Sequence, residues 1–214
     1  MTLGELICAL RTERLDDTAE PFGWSDDELT AYLNDAQDEA CRRARLLIDS
    51  STAAICSIAI TATKTLYALD PRVIFVRRAK LASRSKPLRF SSYLDLDEQC
   101  PGWEDRTGTV EILVTDFETG KLRTYRTPTG ADTLKLTVVR TALAPMATGD
   151  DEPEIAPRFH RSLIEWACYR AYSKQDVVRS MPRRQSGRLP SSSASSGRRV
   201  PPSTKSIRPC GSPS

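Results

Sequence analysis

Apolar side chains in this sequence recur at helical spacing over residues 26–48 and then, from about residue 53, at every second position. The helical stretch opens with acidic residues and closes with arginines, an order that complements the helix dipole and favours charge pairs one turn apart. Between 53 and 143 the alternation, broken by Pro, Gly and Asp, predicts strands. We therefore expect one long helix followed by a β-module.

The two N-terminal helices are each predicted to begin at a capping box. Thr2 and Glu5 have the required spacing and start a predicted helix over 3–12. Ser25 and Glu28 repeat the spacing where the long helix begins. In both boxes a hydroxyl oxygen accepts from a first-turn amide that has no partner inside the helix.

Two further helices complete the predicted architecture. A short helical insert is predicted at 91–98, inside the β-module, and a last helix at 158–176. Because helices and strands come in separate runs, the pattern favours α+β over a parallel βαβ sheet. We predict an α+β domain over 1–176, with N-terminal helices, an inserted antiparallel β-module over 53–143 and a C-terminal helix.

The C-terminal stretch 177–214 differs in composition from the rest of the chain. It holds eight Arg and Lys residues and no acidic ones, which leaves 23 basic and 28 acidic residues, a net charge of −5, in 1–176. Its many Ser and Pro residues predict disorder. Two interpretations stay open, a basic arm that contacts DNA or an acidic surface and the product of a shifted reading frame.

Residue patterns typical of catalysis or metal binding are not found. The six cysteines are widely spaced without a CxxC pair, and the sequence holds one histidine, His160. No phosphate-binding glycine loop and no nucleophile elbow occurs. We expect His160 to cap a helix or lie on the surface, and two of the three carboxylates Asp95, Asp97 and Glu98 to belong to the solvated face of a short helix. We therefore predict no catalytic residue, cofactor or metal site, and a protein that is not an enzyme.

No apolar run approaches the roughly 20 residues that a membrane-spanning helix needs, and the N-terminus has no charged-then-apolar leader pattern. We expect a protein made in the cytoplasm, with reduced and mostly buried cysteines.

The basic residues of the predicted domain, residues 1–176, concentrate between 77 and 89. Strand alternation predicts that Arg77 and Arg78 point to opposite faces and so do not form one patch. A solvated strand face with a basic loop is the first interpretation. The alternative is a nucleic-acid-binding module that acts through the 77–89 region and the C-terminal tail.

Several blocks of the sequence resemble, in order, the head-to-tail adaptor (connector) proteins of tailed phages. The blocks run from Thr2 to Ile7, from Leu15 to Asn34, from Ala36 to Arg45, over 67–71, 101–105 and 151–155, and from Phe159 to Asp176. The resemblance covers about 1–176 and departs from the family pattern after Asp176.

The resemblance implies a structural subunit of the virion neck, made in the bacterial cytoplasm. Such adaptors form a ring, commonly of twelve copies, that joins the portal to the tail and extends the DNA channel. The implied partners are other copies of the chain, the portal protein and the tail-completion and tail proteins. DNA would pass through the channel without specific recognition, and no membrane is involved.

Six residues are candidate contacts between subunits or with partners. Tryptophan and arginine are the residue types that most often anchor protein interfaces, and the charged face of the long helix suits a lateral contact. The candidates are Trp24, Arg42, Arg43, Trp103, Phe117 and Tyr125.

Overall fold

The computed structural model describes the backbone of residues 1–180 and the side chains of residues 1–174. Within it, the helices α1 (Leu3–Leu10), α2 (Asp26–Ala44) and α5 (His160–Ser180) pack around one apolar core. Residues 181–214, which make up most of the predicted basic tail, lie outside the described part of the chain. The core side chains include Leu3, Leu6, Leu10, Leu29, Leu33, Leu163, Ile164 and Ala167.

Both predicted helix starts are confirmed, although only the first has the full capping box, because at α2 the Glu28 side chain does not bond back to Ser25 N. At α1, Glu5 N donates to Thr2 Oγ1 over 3.3 Å while Thr2 N donates to Glu5 Oε2 over 3.0 Å, which completes the capping box. At α2, Glu28 N donates to Ser25 Oγ over 3.2 Å. The first helix was predicted over 3–12, but α1 ends at Leu10 and continues as a π-helical turn over Arg11–Leu15.

The long helix is shorter than predicted. It ends at Ala44 because Arg45 adopts a left-handed conformation with φ of 53° and donates its N–H to Cys41 O. The next residues form the strand β1 (Ile48–Asp49), in which Ile48 pairs with Val139. The apolar side chains of Leu47 and Ile48 continue the helical pattern in the sequence, but pairing with a strand far along the chain holds this segment in an extended conformation.

The first sheet is built around a central strand, β8 (Asp132–Arg140). One edge of β8 pairs with β4 (Val73–Leu81), and the other pairs with β1 and with β2 (Ser57–Ile60), all antiparallel. The predicted strand start at 54–56 is wrong, since Ala53–Cys56 form the short helix α3 before β2 begins.

The second sheet has the order β3 (Leu66–Ala68), β7 (Lys121–Tyr125), β6 (Ile112–Val114) and β5 (Arg89–Ser91). Its β5–β6 pair is parallel, which corrects the expectation of a wholly antiparallel module. The helix α4 (Tyr93–Gln99) lies between these two strands in the sequence. A parallel pair needs such a crossover rather than a tight hairpin.

The two sheets share a core of their own, to which side chains such as Ile60, Val76, Leu113, Leu122 and Leu134 contribute. The chain thus runs from helices through two small sheets to a final helix, and the predicted α+β fold class is confirmed. Within residues 1–180, no helix is both long and apolar enough to span a membrane.

Candidate functional site

A buried ionic network lies where the first sheet meets the helical layer, which is formed by α1, α2 and α5. Arg140, the last residue of β8, donates from Nε to Asp49 Oδ2 over 2.8 Å and pairs through Nη2 with Glu154. Asp49 also accepts from the amides and hydroxyls of Ser51 and Thr52. The side chains of Arg140 and Asp49 are only 8% and 6% exposed, so both charges are removed from water but paired.

The network also reaches the helices. Glu154 N donates over 2.8 Å to Oε1 of Gln37, a buried residue of α2, and Glu154 Oε2 accepts from Leu143 N. Burial alone would raise the pKa of Asp49, but hydrogen bonds from Thr52, Ser51 and Arg140 outweigh burial and hold that pKa well below its usual range. The Arg140 guanidinium likewise lowers the pKa of Glu154. The network therefore fixes the sheet to the helical layer through ionised groups.

His160 is buried, whereas the sequence predicted a capping or surface residue. It is 1% exposed, its Nε2 lies 2.9 Å from Ile155 O, and its Nδ1 lies 3.1 Å from the amino group of Met1. The ring thus ties the N-terminus to the start of α5, and both of its nitrogens are used in the fold.

Trp24 lies inside the subunit, beside a second buried ionic network. Arg11 donates to Asp17 Oδ2 over 2.5 Å and to the Trp24 carbonyl over 2.8 Å, and it pairs with Asp26. The Trp24 ring is 6% exposed and meets Tyr172 edge to face at 6.2 Å. In the single chain, Trp24 therefore stabilises the loop that leads into α2.

Trp103 anchors α4 to the second sheet. Its Nε1 donates over 2.7 Å to Asp97 Oδ1, and its ring lies edge to face with Phe117 at 6.1 Å. Arg123 stacks on both rings at 4.7 and 4.3 Å and pairs with Glu104 at 3.2 Å. The cluster accounts for Asp97 without a metal ion, and residues 1–174 contain no group of His, Cys, Asp and Glu side chains that could hold one.

The six candidate contact residues differ in exposure. Trp24, Trp103 and Tyr125 are buried in the single chain, Phe117 is half-buried, and Arg42 and Arg43 are exposed on α2. Both arginines pair with Glu39, and Arg43 also stacks on Trp166 at 5.0 Å. Their contact roles stay predictions, and Arg42 and Arg43 are the members whose charged groups reach the subunit surface.

A β-bulge in β4 brings Arg77 and Arg78 to one face of the first sheet, although the sequence predicted that they lie on opposite faces. Regular pairing between β4 and β8 is interrupted between Val76 and Arg78, and Val76 and Ala79 are both buried. Because the bulge adds a residue between these inward positions, Arg77 and Arg78 are both exposed on the opposite side. The expectation that alternation splits them is therefore wrong.

The same face also carries two lysines. Lys80 pairs across the strands with Lys135, and Arg78 pairs with Thr137 one row along. Side chains directly opposite each other in an antiparallel pair point to the same face. We call this side of the first sheet, opposite the inward-facing Leu134, Leu136 and Val138, the outer face.

A family model described as SU10 adaptor protein matches residues 1–189 of this sequence. No curated protein matches the chain significantly.

Proposed function

The chain belongs to the SU10 adaptor protein family, and from this premise we propose that it is the ring-forming subunit of a phage neck that joins the portal to the tail. The family is that of a phage adaptor, which is a structural protein of the virion. The finer proposal adds that copies of the chain, twelve in the commonest arrangement, surround and extend the DNA channel.

The match over 1–189 carries this proposal, since it includes the whole described domain. The buried polar contacts between elements of the subunit support it. Arg140, Asp49 and Glu154 join the sheet to the helical layer, and His160 joins the N-terminus to α5. A subunit that transmits force between the portal and the tail needs such fixed connections more than it needs a catalytic site.

The charge of the body is compatible with passage of DNA. Residues 1–176 carry a net charge of −5, and proteins that hold DNA tightly do so by neutralising phosphates with cations. A channel through which DNA slides requires weak contacts instead. In this proposal the partners are other copies of the chain, the portal protein and the tail-completion proteins, with DNA passing without specific recognition.

Electron microscopy of the full chain incubated with the portal protein of the same phage tests this function. The proposal predicts a ring of added density on one face of the portal. Portal rings that stay bare at saturating chain concentration would contradict it.

A second candidate function, a nucleic-acid-binding module, is favoured by one observation. Arg77 and Arg78 share an exposed face with Lys80 and Lys135, so the basic region is more continuous than the sequence predicts. If the chain binds DNA in this way, its affinity should fall steeply as the salt concentration rises. Titration of labelled duplex DNA at two salt concentrations separates the two functions.

A further inference from the structure

The outer face of the first sheet has a basic part whose charges have no partner within the chain. Arg77, Arg78 and Lys135 are exposed and Lys80 is half-buried. Within residues 1–174, none of the four forms an ion pair. The charges are therefore free to meet an acidic surface.

An apolar row lies beside these charges on the same face. Val139 is buried between its two cross-strand neighbours, Ile48 on β1 and Phe75 on β4. Ile48 is 54% exposed and Phe75 is 49% exposed. Large apolar side chains that lie exposed next to unpaired charges are typical of a protein interface with an apolar centre and a polar rim.

A second surface, near the first turn of α2, has the complementary features. A groove of about 540 Å³ lies between α1 and the start of α2, and its lining includes Ile7, Cys8, Phe22 and Asp27. Phe22 is 46% exposed and gives the groove an apolar wall, and the guanidinium of Arg11, which also lines the groove, lies 4.3 Å from the centre of the Phe22 ring.

The region of this groove is acidic. Asp27 lines it, and Asp16 and Glu20 belong to the loop that carries Phe22. All three carboxylates are exposed, and no cation within residues 1–174 pairs with them. Asp17 and Asp26 differ because Arg11 binds both.

Helix α2 separates the two surfaces. The groove includes the first turn of α2, and Ile48 follows the end of that helix by four residues. With 19 residues, α2 spans about 28 Å at 1.5 Å per residue. Complementary surfaces at opposite ends of one subunit make a head-to-tail contact, which forms a closed ring when its rotation closes.

We propose that the outer face of the first sheet docks onto the acidic groove of a second copy of this chain. In this contact Ile48 and Phe75 enter the groove beside Phe22, while Arg77 and Arg78 meet Glu20 and Asp27 at its rim. DNA is the other candidate for the basic residues, but a duplex presents mainly phosphates and polar base edges, which would leave most of the apolar surface of Ile48 and Phe75 uncovered. The inference rests on the proposed ring and names the surfaces that build it.

Charge reversal in the full chain tests the contact. The variant R77E/R78E replaces two of the four cations on the outer face with anions, and E20K/D27K replaces two carboxylates at the groove rim with cations. Each variant alone places like charges together, so we expect self-association, followed by sedimentation velocity, to weaken about tenfold or more. The variant K86E/R89E is the matched control, because it makes the same change in charge at exposed residues on and beside the second sheet.

Restoration of assembly is the decisive result. The four changes combined in one chain should assemble like the wild type, and an equal mixture of the two reversed variants should form mixed oligomers. Unfolding curves of each variant separate loss of contact from loss of fold. Reversed variants that assemble as well as the wild type would overturn the inferred surface and leave the proposed ring intact.

Two other outcomes are informative. If R77E/R78E abolishes binding to duplex DNA and leaves assembly unchanged, the basic face belongs to DNA and the inference fails. If the wild-type chain stays monomeric both alone and with the portal protein of the same phage, the proposed ring fails together with its contact.

Discussion

Arg140 Nε donates to Asp49 Oδ2 across 2.8 Å, which connects the end of β8 to β1 and places a buried cation against a buried anion. The two residues are 91 positions apart in the sequence. Glu154 pairs with the same guanidinium and is itself hydrogen-bonded to Gln37 of α2. One arginine therefore joins the sheet, the acidic loop before α5 and the long helix.

Replacing Arg140 with Met should strongly destabilise the chain. The change leaves Asp49 buried without its cation, and removing one partner of a buried ion pair typically costs about 3–5 kcal/mol. Urea unfolding measures the loss. The control R161M removes an ion pair to Glu13 whose arginine side chain is 69% exposed, and it should cost no more than about 1 kcal/mol. Equal effects of the two variants would contradict the importance of the buried network.

Stability should also fall in acid because of the same network. The pKa values of Asp49 and Glu154 are lowered in the folded chain. Since the unfolded carboxyls titrate near pH 4, their contribution is fully present above about pH 5 and is lost as the pH falls below that. Unfolding free energies measured between about pH 6 and pH 3 should decrease, and they should decrease less steeply in D49N. Parallel slopes in the wild type and D49N would show that Asp49 is not responsible.

Replacing Trp103 with Phe should lower stability and leave assembly unchanged. The change removes the hydrogen bond to Asp97 and part of a side chain that is 2% exposed, at a cost of about 1–3 kcal/mol. The control W166F changes a half-buried tryptophan on α5 and should cost less. If W103F altered the oligomer mass more than the unfolding curve, Trp103 would be an inter-subunit contact, as the sequence first suggested.

The cysteines should differ sharply in reactivity. Cys8 is exposed and lines the groove, whereas Cys41 is buried in α2, where burial raises its pKa to about 11. A maleimide should therefore modify Cys8 in the native chain and reach Cys41 only after unfolding, as read by mass spectrometry of the peptides. Because the label would fill the groove, it should also weaken self-association, whereas C8S treated in the same way should assemble normally. Modification of Cys41 before Cys8 would contradict the packing of α2.

Much of the helical layer could be predicted from the sequence because its signals are local. Thr2 and Ser25 cap the helices from one turn away, and the apolar stripe of α2 faces a core made from neighbouring helices. The end of α2 could not be predicted in this way. Arg45 takes a left-handed conformation without the usual glycine, and Ile48 is held by Val139, a partner far along the chain.

The exposure of the candidate contact residues was harder to predict, because it depends even more on contacts between residues far apart in the sequence. The alternation of β4 predicted that Arg77 and Arg78 are separated, but a bulge against β8 turns both outward. Trp24 and Trp103 stand beside turns in the sequence, where tryptophan often marks an interface, but residues far from them cover their rings. Strand register and burial arise from pairing across the chain, so the composition of one segment does not determine them.

Native mass spectrometry of the full chain mixed with the portal protein of the same phage shows whether the chain is a ring subunit of the neck. If the chain is a neck subunit, we expect a single complex in which a fixed whole number of chains, twelve in the commonest arrangement, is bound to each portal ring. A chain that stays monomeric and leaves the portal mass unchanged at saturating concentration would contradict it.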